Sequence, residues 1–121
     1  MPKQGLAIGE LAERTGLSVS AIRFYETKGL VAPLRNTGGH RRYDRADIRK
    51  LSFVRITQEL GFPLAEIAAH MAHLPQGRAP TKADWARISK TLRRDLEHRI
   101  HRLTRLRDTL DGCIGCGCLS L

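Results

Sequence analysis

Aromatic side chains are scarce in this chain, and cysteine is confined to one place. The 121 residues include three Phe, two Tyr, one Trp and three Cys. A core with so few rings has to be built mainly from aliphatic side chains. An odd number of cysteines cannot be fully paired, which argues against a disulfide framework. An apolar leader is missing as well: Met1-Pro2-Lys3-Gln4-Gly5 has no hydrophobic core, and no run reaches the roughly 20 apolar residues of a membrane helix. The protein is therefore expected in the cytoplasm, where thiols stay reduced. The length allows one compact domain with an appendage and excludes two full-sized cores.

Basic charge, by contrast, is plentiful. With 21 Lys and Arg against 12 Asp and Glu, the formal net charge is +9. Such an excess favours a polyanionic partner, nucleic acid above all, over an acidic small molecule. It is spread over both halves, but within residues 23–50 there are 8 basic and 3 acidic side chains, which accounts for the whole excess of the first half.

Ile8, Leu11, Ala12 and Thr15 recur at helical spacing and are closed by Gly16. Ser18 can cap a second helix, to which Val19, Ile22 and a ring at Phe24 or Tyr25 supply apolar contacts before Gly29 ends it. Two short helices joined by Gly16-Leu17-Ser18 make a helix-turn-helix candidate. In such a motif the second helix enters the major groove, and its outward residues here are Ser20, Ala21, Arg23 and Tyr25. Leu30 to Leu34 then reads as extended, Asn36-Thr37-Gly38-Gly39 as a turn and His40-Arg41-Arg42-Tyr43 as a returning strand, together a basic wing. With Ser18 and Arg49 added, the expected DNA-binding set is Ser18, Ser20, Ala21, Arg23, Tyr25, Arg41, Arg42, Tyr43 and Arg49.

Asp44 and Asp47 signal the start of a further helix through Ile48, Leu51 and Val54, ended by Gly61. Pro63 suits the first turn of the next, whose stripe is Leu64, Ile67, Ala68 and Met71. His70 and His73 are expected to be a solvated pair, and Met71 a core residue. The head spans 5–74, and a hinge rich in helix breakers spans 75–80. From 81 to 111, Trp85, Ile88, Leu92, Leu96, Ile100, Leu103, Leu106 and Leu110 recur every three or four residues with charges between them, a coiled-coil seam. So long a helix cannot bury its stripe on so small a head and calls for a second copy of itself. The basic residues along it, and His98 and His101, read as a solvated face. Gly112 is expected to end the helix.

Residues 112–121 hold all three cysteines, in Cys113-Ile114-Gly115-Cys116-Gly117-Cys118. Three soft ligands separated by glycines suit a thiophilic metal ion or an iron–sulfur cluster, with a local disulfide as the plain alternative. A closed four-ligand site would take its fourth donor from a histidine, a second subunit, solvent or residues outside this sequence. No substrate pocket or general base emerges to suggest an enzyme.

The segments Ile8-Gly9-Glu10-Leu11-Ala12, Ala21-Ile22-Arg23-Phe24-Tyr25-Glu26 with Lys28-Gly29-Leu30, and Arg41-Arg42-Tyr43 resemble the head of the MerR family of transcription regulators. Asp111 to Ser120, with Trp85 and Arg99-Ile100-His101, resembles the redox-sensing branch of that family. The resemblance implies a mainly α fold: a winged helix-turn-helix head, a long dimerisation helix in an antiparallel coiled coil, and a C-terminal cluster-binding loop. It implies a homodimer on promoter DNA that activates transcription with RNA polymerase when a [2Fe–2S] cluster is oxidised by redox-cycling compounds or superoxide. Cys113, Cys116 and Cys118 match three cluster ligands. The fourth is a cysteine six positions beyond the one matching Cys118, a position this sequence does not include.

Overall fold

The computed structural model describes residues 5–35, 38–75 and 78–117. The first helix, α1 (Ile8–Thr15), places Leu11 and Thr15 on its buried side and stops at Gly16, whose φ of 76° is open to glycine at little cost. The Gly16 amide closes the turn onto the Ala12 carbonyl at 3.0 Å. Ser18 then opens α2 (Val19–Thr27) by accepting the Ala21 amide on its hydroxyl at 3.0 Å. At the other end Leu30 N–H reaches back to the Tyr25 carbonyl around Gly29, the bond pattern that satisfies a helix's last acceptors.

The wing pairs β1 (Leu34–Arg35) with β2 (Arg41–Arg42) antiparallel, Leu34 opposite Arg42. Asn36 and Thr37 of the expected turn lie outside the described residues. Tyr43 does not extend the hairpin. Its amide and carbonyl exchange hydrogen bonds with Leu6 at 2.8 and 2.7 Å, so the entry strand of the head and the exit of the wing are tied by backbone.

Asp44, expected as the N-cap, stands one residue before the observed cap Arg45 of α3 (Ala46–Glu59), and the two aspartates bond around it: Asp44 Oδ1 accepts the Ala46 amide at 2.9 Å, and Asp47 Oδ2 accepts the Asp44 amide at 3.1 Å. After Gly61 (φ 98°) and Pro63, α4 (Leu64–Met71) packs on α3, while α1 packs on both α2 and α3. Leu6, Leu11, Ile22, Tyr43, Leu51, Val54 and Ile67 meet in a core that is almost wholly shielded from solvent. Each such aliphatic side chain contributes about 1.5–3 kcal/mol by leaving water. His70 corrects the expectation of a solvated pair: it is buried, and only His73 is exposed. Residue 70 continues the inward row of Ile67, Met71 and Leu74, so helical spacing turns it to the core side.

The chain divides into two compact units, Met1–Thr81 and Lys82–Leu121. The second is one helix, α5 (Lys82–Cys116), 35 residues or about 52 Å long. It runs through Gly112, which the sequence marks as its end, and through Gly115; the left-handed glycine is Gly117, at φ 79°. A helical glycine costs roughly 1 kcal/mol, too little to stop propagation once a long helix has formed. Leu96, Ile100, Leu103, Leu106, Leu110 and Ile114 are all exposed along α5. Among the described residues no helix is long and apolar enough to cross a membrane.

Candidate nucleic-acid interface and thiol segment

The cap at Ser18 fixes where α2 begins, and therefore which of its side chains face outward. Ser20, Arg23, Phe24 and Thr27 are exposed and share one face by their three- and four-residue spacing. Ser18 is itself exposed while serving as the cap, and Ala21 is half-buried. Phe24, 49 % exposed, belongs to this face although the sequence left open which of two adjacent rings would point in. Its ring meets Tyr25 edge-on at 5.8 Å and carries the Lys28 ammonium 5.4 Å from its centroid.

Tyr25 and Tyr43 of the expected DNA-contacting set differ from the others, because both side chains lie in the interior of the head. Tyr25 donates its hydroxyl to Gln58 Oε1 on α3. Tyr43 is fully enclosed and donates to Glu26 Oε2 at 2.7 Å. Burial, then the bond to Glu26 and its negative charge, push the Tyr43 phenol up to about 12. These hydroxyls hold the recognition helix in place from behind.

The wing supplies the cations. Arg41 is exposed and pairs with Glu26 Oε1 at 3.0 Å. Arg42 is half-buried, with an enclosed Nε that has no hydrogen-bond partner among the described residues. Arg41 and Arg23 both oppose the rise of the Tyr43 phenol through their positive charge. Arg49 is exposed on α3, a separate element from α2 and the wing. The geometry is that of a helix with a polar and aromatic outer face beside an arginine-bearing hairpin, which suits groove insertion flanked by phosphate contact.

A cavity of about 580 Å³ lies elsewhere in the head, lined by Asp47, Lys50, Met71 and Arg78 among others. Asp47 is buried there, and desolvation raises its carboxyl to about 6 against the opposing pull of Lys50.

At the end of α5, Cys113 is a half-buried free thiol and Cys116 is exposed. Their spacing of three puts both sulfurs on one side of the last turn, with Cys116 Sγ 3.5 Å from the Cys113 carbonyl oxygen. Gly117 then turns the chain, and Cys118 lies outside the described residues. Cys113 keeps a free thiol, whereas Cys116 is disulfide-bonded, the plain alternative expected for this segment; with that bond reduced, two soft donors one turn apart before a left-handed glycine fit a thiophilic metal ion or an iron–sulfur cluster. His98 and His101 are exposed, as a solvated face requires.

A helix-turn-helix with a basic wing, followed by a long helix, defines a DNA-binding regulator rather than an enzyme. The chain belongs to the MerR family: the MerR helix-turn-helix regulatory protein family matches residues 6–74, and the MerR DNA-binding family matches 48–113. It is 51% identical over 121 residues to an HTH-type transcriptional activator SoxR homolog of Chromobacterium violaceum, covering all of this chain and 82% of that protein. A mercuric resistance operon regulatory protein of Pseudomonas fluorescens is 34% identical over 116 residues, 95% of this chain and 78% of that one. Among solved structures, a MerR family transcriptional regulator from Listeria monocytogenes superposes with a TM-score of 0.60 at 31% identity, over 91% of this chain and 83% of the other.

Proposed function

We propose that this protein is a redox-sensing transcription activator of the cytoplasm. It binds promoter DNA as a homodimer and activates transcription when a [2Fe–2S] cluster is oxidised, in response to superoxide or redox-cycling compounds. The observation that carries the reading is the placement of Cys113 and Cys116 on one side of the last turn of α5, with Cys118 two residues on. The likeness to an activator named as a SoxR homolog supports it over the full chain.

In this reading Cys113, Cys116 and Cys118 hold the cluster, with a fourth ligand from outside this sequence. When bound, the cluster supplies a reversible one-electron change of charge. The exposed row from Leu96 to Ile114 takes a second α5 in an antiparallel coiled coil, which sets two heads on the half-sites of a pseudo-palindrome. Ser18, Ser20, Ala21 and Arg23, with Phe24 added, face the groove, while Arg41, Arg42 and Arg49 meet phosphates. RNA polymerase engages the promoter once the dimer has reshaped it, and reshaping DNA costs several kcal/mol that the bound contacts must offset.

A second reading, direct sensing of a thiophilic metal ion by the thiolates, draws support from the likeness to a mercuric resistance regulator. One measurement separates the two: iron and acid-labile sulfide in protein purified without oxygen, with the visible spectrum repeated after dithionite. About two irons and two sulfides per chain, with colour that bleaches on reduction, is the expected result. Stoichiometric metal without sulfide would favour the second reading, and colourless, metal-free protein would remove the sensor role from this chain.

A further inference from the structure

A carboxylate stands where this head is expected to meet a polyanion. Glu26 is in the last turn of α2, with its side chain only 14% exposed, and among the described residues its carboxylate has two partners. Oε2 accepts the Tyr43 hydroxyl at 2.7 Å, and Oε1 accepts from Arg41 at 3.0 Å. The first bond does not need a charge, because an amide oxygen would accept from a phenol equally well. The second does: the bond to a guanidinium is what a carboxylate does better than an amide.

The two partners differ in freedom. Tyr43 is enclosed and its backbone is locked to Leu6, so it fixes the position of the carboxylate. Arg41 sits on the wing with its side chain 47% exposed, within reach of an incoming phosphate. The geometry points to Glu26 as an internal counter-ion that competes with DNA phosphates for Arg41 and so holds down sequence-independent binding. Only a DNA register that brings a phosphate close to the wing exchanges the carboxylate for it. This inference rests on the reading of the head as a DNA-binding module. Glu26 touches no base or phosphate in this role; it is a positioning residue acting through Arg41.

The test compares wild type, Glu26→Gln, Arg41→Ala and the double variant on a random-sequence duplex about three helical turns long. Affinity is read between about 50 and 200 mM salt. Glu26→Gln keeps an acceptor for Tyr43 and frees Arg41 for one more phosphate. Its log–log salt slope should steepen by about 0.9, so its affinity falls about 3.5-fold more than wild type across that range. Arg41→Ala alone should leave the slope unchanged, and in the Glu26→Gln background it should abolish the extra slope.

An unchanged slope in Glu26→Gln, or extra slope that survives in the double variant, overturns the inference. A purely structural role for Glu26 would not depend on Arg41 in this way. Should Glu26→Gln fail to fold, Arg41→Ala still decides: a slope lowered by about 0.9 with Glu26 intact would mean that Arg41 already sits on phosphate. Wild type without salt-dependent binding would defeat the DNA-binding reading itself.

Discussion

The hydroxyl of Tyr25 on the recognition helix donates to the side-chain oxygen of Gln58 on α3. The bond crosses from α2 to α3 behind the outward face, and both its position and the burial of the ring mark Tyr25 as a support. Tyr25→Phe removes one neutral hydrogen bond and should lower unfolding stability by about 1 kcal/mol. Chemical denaturation reads that loss, and DNA affinity of the folded variant should stay within twofold of wild type. A tenfold loss of affinity at unchanged stability would return Tyr25 to the interface.

The wing should act through charge. On DNA selected by the wild-type protein from random sequence, Arg41→Ala combined with Arg42→Ala should weaken binding and lower the salt slope by about 0.9 to 1.8, one or two phosphates' worth. Titrations at several salt concentrations measure it. Binding that is unchanged in strength and slope would place the wing away from DNA.

Asp47 should make stability fall as pH rises. Burial pushes its folded carboxyl up to about 6, above the ordinary value of 3.8, so between those values the folded state binds more protons than the unfolded state. Stability from this group is fully present below pH 4 and is lost as pH rises through 6, by about 3 kcal/mol. Asp47→Asn keeps an oxygen for the Asp44 amide and cannot ionise. The stability difference between variant and wild type should therefore grow in the variant's favour from pH 4 to pH 7. Parallel curves from denaturation at both pH values would refute this.

The bare row on α5 should govern assembly. Leu103 is 64% exposed in the single chain, midway along that row. Leu103→Glu removes a buried leucine from each copy, about 2 kcal/mol apiece, and should raise the dimer dissociation constant about a thousandfold. Sedimentation over a concentration series reads this directly. A variant that remains dimeric at the same concentrations as wild type would mean that the copies meet elsewhere.

Local signals carried most of the head. Gly16, Ser18, Gly29 and the Asp44–Asp47 pair act through short-range backbone chemistry, and each does in the structure what its residue type suggests. What sequence could not settle was burial. Phe24 and Tyr25 are adjacent rings, and which one turns inward depends on Gln58, 33 residues away in the chain. Tyr43 reads as the polar tip of a basic strand, yet Leu6 and Glu26 draw it into the core. His70 needed the tertiary packing of α4 to reveal its side. Gly112 misled for a different reason: a glycine permits a helix to end without requiring it.

The glycines near the end of α5 also grade its rigidity. Gly112 and Gly115 each weaken the helix by roughly 1 kcal/mol relative to alanine, and among the described residues neither has an atom from outside its own helical backbone within 4 Å of where a side chain would begin. The stretch carrying Cys113 and Cys116 is thus the softest part of an otherwise continuous rod, and its amide protons should exchange with solvent well before those around Leu96. A ligand gripping those sulfurs would reshape the rod's tip at small cost and leave its shaft intact.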